Sequence, residues 1–276
     1  MPEQPPTQTE APLSNARLLE VALEAAQTAA AAIHDAEPHV HSIVWREKGA
    51  TDFVSEVDVS AERCILDVIR LRVPDAAVLA EESASTIAPK RQQTGIVFVI
   101  DPLDGTTNFL HGYPEYAVSI GVLRDGVLAA GVIIDVPLNE IFTATAGGGA
   151  FRNGERMRVS TVDNPHHALF GTGFPFTRRE EIAPYLAQLE RVMASAGGVR
   201  RAGAAALDLA SVACGRFEGF WEIRLSPWDI AAGMLLVREA GGRVTTLEGD
   251  ECPVAKTSVV AASSVMHPWL LDALTG

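Results

Sequence analysis

Gly95-Ile96-Val97-Phe98-Val99-Ile100-Asp101-Pro102-Leu103-Asp104-Gly105-Thr106-Thr107-Asn108-Phe109 is the stretch on which the reading of this chain turns. Its β-branched and aromatic opening predicts a strand. The strand ends at Asp101, because Pro102 has no amide with which to continue a ladder. The turn that follows offers two carboxylates, Asp101 and Asp104, then a flexible Gly105 and the hydroxyls of Thr106 and Thr107. Paired carboxylates at a strand end suit hard divalent cations, and Gly-Thr backbone amides suit a phosphate. One nonapeptide therefore carries both halves of a metal-dependent phosphate site, although Asp/Pro/Gly turns are also common at strand ends for reasons of turn geometry alone.

Composition narrows the class. A chain of 276 residues lies near the upper limit for a single core, so one large domain or two fused halves are expected. The net charge of −13 with no basic stripe argues against non-specific nucleic-acid binding. An acidic protein that takes an anionic substrate needs cations to reverse the local field, which fits a metal site. No window supplies the roughly 20 apolar residues of a membrane span. Cys64, Cys214 and Cys252 are odd in number and far apart, which points to reduced, mostly buried thiols in a cytoplasmic protein. Residues 1–13 are rich in Pro, Gln, Thr and Glu, lack the features of a signal peptide, and read as a disordered tail.

Outward from the Asp-Pro turn, Ser14 is a plausible N-cap for a long helix, with Leu18, Leu19, Ala22, Leu23, Ala26 and Ala30 on one face. His34, His39 and His41 follow no metal spacing and read as packed or solvated. Ile43-Val44-Trp45 reads as a short strand, and residues 58–72 as a helix. Strands are expected at 116–123, 127–134 and 140–145, with hairpin turns at Arg124-Asp125-Gly126 and Asn153-Gly154. Gly147-Gly148-Gly149 has no Lys-Ser/Thr after it and reads as a hairpin connection rather than a phosphate loop. A second half follows Asn164-Pro165. It has strands at 168–173, 216–222, 243–246 and 258–262, and helices at 179–195, 204–214, 229–240 and the C-terminus. Strand runs interleaved with helix pairs suggest stacked sheets between helical layers.

Three further segments extend the pattern. Asp52-Phe53-Val54-Ser55-Glu56-Val57-Asp58 opens a predicted helix, and Leu79-Ala80-Glu81-Glu82-Ser83 sets two acids after a short apolar run. Trp228-Asp229-Ile230-Ala231-Ala232-Gly233 starts a helix that ends at Glu239-Ala240-Gly241-Gly242. In this order, from about Ser14 to the C-terminus, the motifs resemble the inositol monophosphatase family of magnesium-dependent, lithium-sensitive sugar phosphatases. Lys48-Gly49 and Arg200-Arg201-Ala202-Gly203 are similar to its bacterial members.

The resemblance implies an α/β (mixed α+β) fold, the αβαβα layered sandwich of the sugar phosphatases, with halves at about 14–163 and 164–276. It implies hydrolysis of inositol monophosphate by a metal-activated water. Glu81, Asp101 and the Leu103 carbonyl would hold one Mg²⁺, and Asp101, Asp104 and Asp229 a second, with a weaker third near Glu81. Asp58 and Thr106, with Glu81, would position the water. The amides of Gly105 and Thr106 would take the phosphate, with Asp104 and Asp229 bordering the substrate. Gly203, Ala205 and Glu222 would contact the polyol. Glu82 is expected to support the metal shell rather than ligate, and a homodimer is implied.

Two positions depart from the family pattern: Ala204 stands where Ser or Thr is usual, and Ala80 where Gly is usual. The first leaves related substrates open, namely histidinol phosphate, 3′-phosphoadenosine 5′-phosphate and fructose bisphosphate. A regulatory binding protein with incidental catalysis is the reading from a different class, and a complete acid set speaks against it.

Overall fold

The computed structural model describes residues 13–43, 45–49, 52–83, 94–176 and 178–276. Most of the expected tail, residues 1–12, lies outside them, as does Val44. In chain order the elements are α1 (Asn15–Ala36), β1 (Trp45–Gly49), β2 (Asp52–Ser55), α2 (Glu56–Arg72), β3 (Ala77–Ala80), β4 (Ile96–Asp104) and α3 (Thr106–Leu110). Five strands follow: β5 (Ala117–Arg124), β6 (Val127–Asp135), β7 (Glu140–Thr145), β8 (Gly149–Arg152) and β9 (Glu155–Arg156). The remainder comprises β10 (Leu169–Thr172), α4 (Arg179–Met193), β11 (Gly198–Arg200), α5 (Ala205–Ala213), β12 (Gly219–Leu225), α6 (Pro227–Glu239), β13 (Gly242–Thr245), β14 (Thr257–Ser263) and α7 (His267–Thr275).

These build two sheets. The first runs β3-β4-β5-β6-β7-β8-β9 in chain order, with β3 parallel to β4 and every later pair antiparallel. Such a meander needs tight hairpins. At Asp125-Gly126 and Asn153-Gly154 both residues have positive φ, the two-residue turn whose twist matches paired strands. The second sheet runs β11-β10-β12-β14-β13 and is mixed.

Three apolar clusters define the layers. α1 and α2 cover one face of the first sheet through Leu18, Ala22, Ile33, Ile65 and Ile69 against Phe98, Ile100, Val118 and Ile120. α5 and α6 fill the space between the sheets, with Leu209, Met234 and Leu236 clustered with Val97 and Val99 on one side and Phe220 and Val259 on the other. Tyr185 and Val192 of α4 and Leu270 and Leu274 of α7 cover the outer face of the second sheet with Phe170 and Trp221. The result is the αβαβα sandwich.

The central helix α6 sits unusually close to the first sheet. A Cβ at Gly121 of β5 would lie 2.5 Å from the Cβ of Ala231, and one at Gly131 of β6 would lie 3.1 Å from the Cα of Ala232. A side chain at Gly121 would force the helix away, and one at Gly131 would press it back by a few tenths of an ångström. The close approach brings the first turn of α6 onto β5, where the Ser119 hydroxyl donates to the Trp228 carbonyl at 3.4 Å.

Five local expectations need correction. The strand does not stop at Asp101: β4 runs through Pro102 to Asp104, with Pro102 inside the register shift against β5, where no ladder amide is needed. Asp52 does not open a helix: residues 52–55 pair antiparallel with β1 as a hairpin, and the helix begins at Glu56. The strand expected at Ile43-Val44-Trp45 starts instead at Trp45. β12 occupies 219–225 rather than 216–222, because Ser211 to Phe217 close the end of α5 in a turn. On α1 the buried stripe is Leu18, Val21, Ala22, Ala25, Ala26, Ala29 and Ile33, so Leu19, Leu23 and Ala30 flank it. Ser14 does cap this helix, accepting from the Arg17 amide.

Candidate active site

Three elements, β3, β4 and α6, deliver four acids to one end of the first sheet. The Glu81 amide donates to the Ile100 carbonyl at 3.1 Å, continuing the parallel β3–β4 ladder by one residue. The β4–β5 register shifts between Asp101 and Asp104, breaking the regular alternation where the two acids stand. Asp101 is buried, and its Oδ1 accepts from the Leu103 amide at 3.1 Å. Asp104 reaches across to the first turn of α5, where its Oδ2 accepts from the Ala206 amide at 2.7 Å. Asp229 completes the capping box of α6, its Oδ2 accepting from the Ser226 amide at 2.7 Å. A backbone amide thus holds each of the three aspartates.

Glu81, Asp101, Leu103, Asp104, Gly105, Thr106, Gly203 and Asp229 line a common cavity of about 420 Å³. Burial raises the Asp101 carboxyl well above the ordinary carboxylate range, and the charges of Glu81, Asp104 and Asp229 add to it. Asp101 also shares a hydrogen bond with Glu81. Burial pushes Asp104 up to about 7 against the opposing Ala206 bond, with Glu81 and Glu222 adding further repulsion. Asp229 rises for the same reason, chiefly by burial and then by Asp104. Acids gathered this way must take up protons or cations. Among the described residues no three acid, His or Cys side chains form a group able to hold a metal ion as placed; the acids line one cavity instead. Hard carboxylate oxygens with a backbone carbonyl are nevertheless a donor set chemically suited to Mg²⁺, so the residues fit the ion.

The Thr106 hydroxyl lies 2.8 Å from Asp58 Oδ1 and 3.0 Å from the Leu103 carbonyl. The N-cap of α2 is Ser55, and Asp58 closes the capping box by accepting from the Ser55 amide at 2.8 Å. One carboxylate thus both caps α2 and holds Thr106. Gly105 precedes α3 at φ 90°, and the first amides of that helix have no intrahelical acceptors, leaving them available to an anion.

The residues expected at the polyol are brought to the same end by different routes. Gly203 lines the cavity, whereas Ala205 and Glu222 are absent from its wall. Glu222 nevertheless stands close enough to Asp104 and Asp229 to feel both charges, and burial, then Asp229, lifts it to about 8. The residue that the resemblance assigns to the polyol therefore also stands in the field of the acid cluster. Three further residues, to which the sequence alone gives no role, stand beside them. A Cβ on Gly173 would fall 2.0 Å from the Glu222 carboxyl, so any side chain there would push that carboxyl from its place. Arg201 lines the cavity with its guanidinium 5.6 Å and 5.0 Å from the ring centres of Phe174 and Phe176. Glu62, buried on α2, accepts from the Glu82 amide at 2.9 Å. The histidines stay apart: His34, His39 and His41 are exposed. All three cysteines are free thiols, Cys252 buried and the others half-buried. Among the described residues no helix is long and apolar enough to cross a membrane.

The profile of the inositol monophosphatase family matches residues 14–275. An inositol-1-monophosphatase of Mesorhizobium japonicum is 41% identical over 262 residues, covering 95% of this chain and 97% of its own. A Nus factor SuhB of Pseudomonas aeruginosa is 42% identical over 259 residues, covering 93% and 95%. The crystal structure of extragenic suppressor protein suhB from Bartonella henselae superposes with a TM-score of 0.88 at 41% identity, covering 93% of this chain and 98% of that one. The chain belongs to the inositol monophosphatase family.

Proposed function

We propose that this member of the inositol monophosphatase family is a Mg²⁺-dependent phosphomonoesterase that converts inositol monophosphate to inositol and phosphate. The observation that carries the reading is the convergence of Glu81, Asp101, Asp104 and Asp229 on one cavity beside the Asp58–Thr106 pair. Two to three Mg²⁺ ions per chain would be held by these acids and the Leu103 carbonyl. When bound, they supply Lewis-acid stabilisation of the phosphoryl oxygens and leaving group and an activated water.

The chain's own groups do the rest. Thr106, its hydroxyl held by Asp58, accepts a hydrogen bond from the attacking water and aims it, and Glu81 borders the same water. The amides of Gly105 and Thr106 receive the phosphate oxygens. Gly203, the Ala205 amide and Glu222 orient the polyol, with Asp104 and Asp229 at the boundary between the two halves of the substrate. The setting is cytoplasmic, the assembly a homodimer, and lithium an inhibitor, all by family likeness.

Phosphate release from myo-inositol 1-phosphate, 4-nitrophenyl phosphate and a bisphosphate, with Mg²⁺ or chelator, tests the reading. Asp101→Asn should lower turnover by at least roughly 10²-fold, as when another electrostatic stabiliser is lost. Full activity in excess chelator would refute the metal-dependent scheme. The relative named as a Nus factor supports a second reading, a regulatory role in transcription. Binding of a transcription complex by a catalytically dead Asp101→Asn protein would favour it.

A further inference from the structure

We infer that Glu62 is a positioning residue for Glu81. Asp58 and Glu62 are four residues apart on α2, and therefore on one face of it. Both are buried, at 1% and 5% exposure. Asp58 holds Thr106, and Glu62 Oε2 accepts the Glu82 amide at 2.9 Å. The Glu81 amide donates to the Ile100 carbonyl at 3.1 Å. The peptide units on both sides of Glu81 are thus fixed, one by β4 and the other by α2.

The remaining buried positions along α2 are apolar: Val57, Ala61, Ile65 and Ile69. A carboxylate kept among them carries a desolvation penalty that an apolar side chain would avoid. The Glu82 amide, half-buried and next in sequence to Glu81, is what it answers. Because Asp58 and Glu62 share one rigid helix, α2 sets the hydroxyl that aims the water and the acid that meets the cation in a common register. Groups that orient ligands in this way commonly change metal affinity 10- to 100-fold when removed.

The inference rests on the metal-centre reading above, and the test separates the two. Metal-free wild type, Glu62→Gln, Glu62→Asp and Glu62→Ala proteins are titrated with Mg²⁺ by calorimetry, and rates on 4-nitrophenyl phosphate are measured against Mg²⁺. Gln keeps an acceptor at the same reach without the charge, whereas Asp keeps the charge and withdraws the acceptor by one methylene. Glu62→Ala and Glu62→Asp should bind Mg²⁺ about 10-fold or more weakly, and Glu62→Gln should stay close to wild type. The Mg²⁺ giving half-maximal rate should rise in parallel, with the KM for substrate little changed at saturating Mg²⁺. Should Glu62→Ala fail to fold, the Gln and Asp proteins decide: Asp binding as tightly as wild type, or Gln as weakly as Asp, overturns the positioning role. Wild type and Glu62→Ala binding equally overturns this inference alone. Absence of Mg²⁺ binding by wild type overturns both.

Discussion

The Ala206 amide donates to Asp104 Oδ2 at 2.7 Å, so an acid on β4 serves as the side-chain cap that α5 lacks in its own sequence. The residue before α5 is Ala204, which has nothing with which to accept. A bond spanning 102 residues therefore closes the second sheet's helix onto the first sheet's acid cluster. Folding of one is coupled to the geometry of the other.

Asp104→Asn and Asp104→Ala separate these two duties. Both remove a charge and should lower turnover by at least roughly 10²-fold. Asn can still accept from Ala206, whereas Ala cannot, and loss of a helix cap costs about 1 kcal/mol. In chelator, where the neighbouring acids repel, the Asn protein should melt at or above the wild-type temperature, and the Ala protein about 2 °C below the Asn protein. Equal melting of the two variants would show that the Ala206 bond does not act as a cap.

Gly105 is the next test. Its φ of 90° is left-handed, and a Cβ there would stand 2.7 Å from the Glu115 carbonyl oxygen, which is backbone and cannot swing aside. Gly105→Ala should therefore destabilise by about 1–3 kcal/mol, the range for local backbone strain, and misdirect the first amides of α3. Thermal melting together with inhibition by inorganic phosphate reads both effects. Unaltered melting and phosphate affinity would remove Gly105 from the site.

How much of this was legible in the sequence depends on where each signal lies. The hairpins at Asp125-Gly126 and Asn153-Gly154 and the start of α6 follow from local chemistry, because Gly and capping acids restrict their own backbone. The continuation of β4 through Pro102 to Asp104 does not, because it depends on a register shift against β5. The β1–β2 hairpin was not legible, since Asp52, Ser55, Glu56 and Asp58 together imitate an acidic first helical turn, and only Ser55 onward is one. Glu62 resembles any solvent-facing acid on a helix until Glu82 is folded onto it. The requirement for glycine at 173 comes from Glu222, on the neighbouring strand, and nothing in the loop itself reveals it.

His267 supplies a pH dependence away from the acids. It is buried at the start of α7 with Nε2 3.0 Å from the Thr245 hydroxyl, and burial, then the Arg243 charge, pushes it down to about 4. Between that value and the unfolded value near 6.5, the unfolded chain binds a proton that the folded chain refuses. Stability from this group is therefore present above about 6.5 and falls as the pH drops towards 4. His267→Gln should flatten the decline in melting temperature between pH 7 and pH 5. The comparison is made in saturating Mg²⁺, so that the acid cluster contributes little. Parallel pH profiles for the two proteins would exclude the histidine as the source.

Glu222 and Gly173 decide whether the site reads a polyol. Gly173 leaves room for the Glu222 carboxyl, and Asp229 and Asp104 lie near enough to repel it. Once cations neutralise those neighbours, an ionised Glu222 can accept from ring hydroxyls. A hydrogen bond to a charged group is worth roughly 1.5–3 kcal/mol, about a ten- to hundredfold factor. Glu222→Gln should lower kcat/KM for myo-inositol 1-phosphate by about that factor. Hydrolysis of 4-nitrophenyl phosphate, which offers no hydroxyls, should change much less. Gly173→Ala should reproduce the pattern, because the added methyl displaces the same carboxyl without removing it. The Mg²⁺ needed for half-maximal rate is measured for each protein, since Glu222 shares the field of Asp229. If both substrates fall together and that Mg²⁺ requirement shifts with them, Glu222 acts through the metal centre, and selection for inositol must come from elsewhere in the cavity.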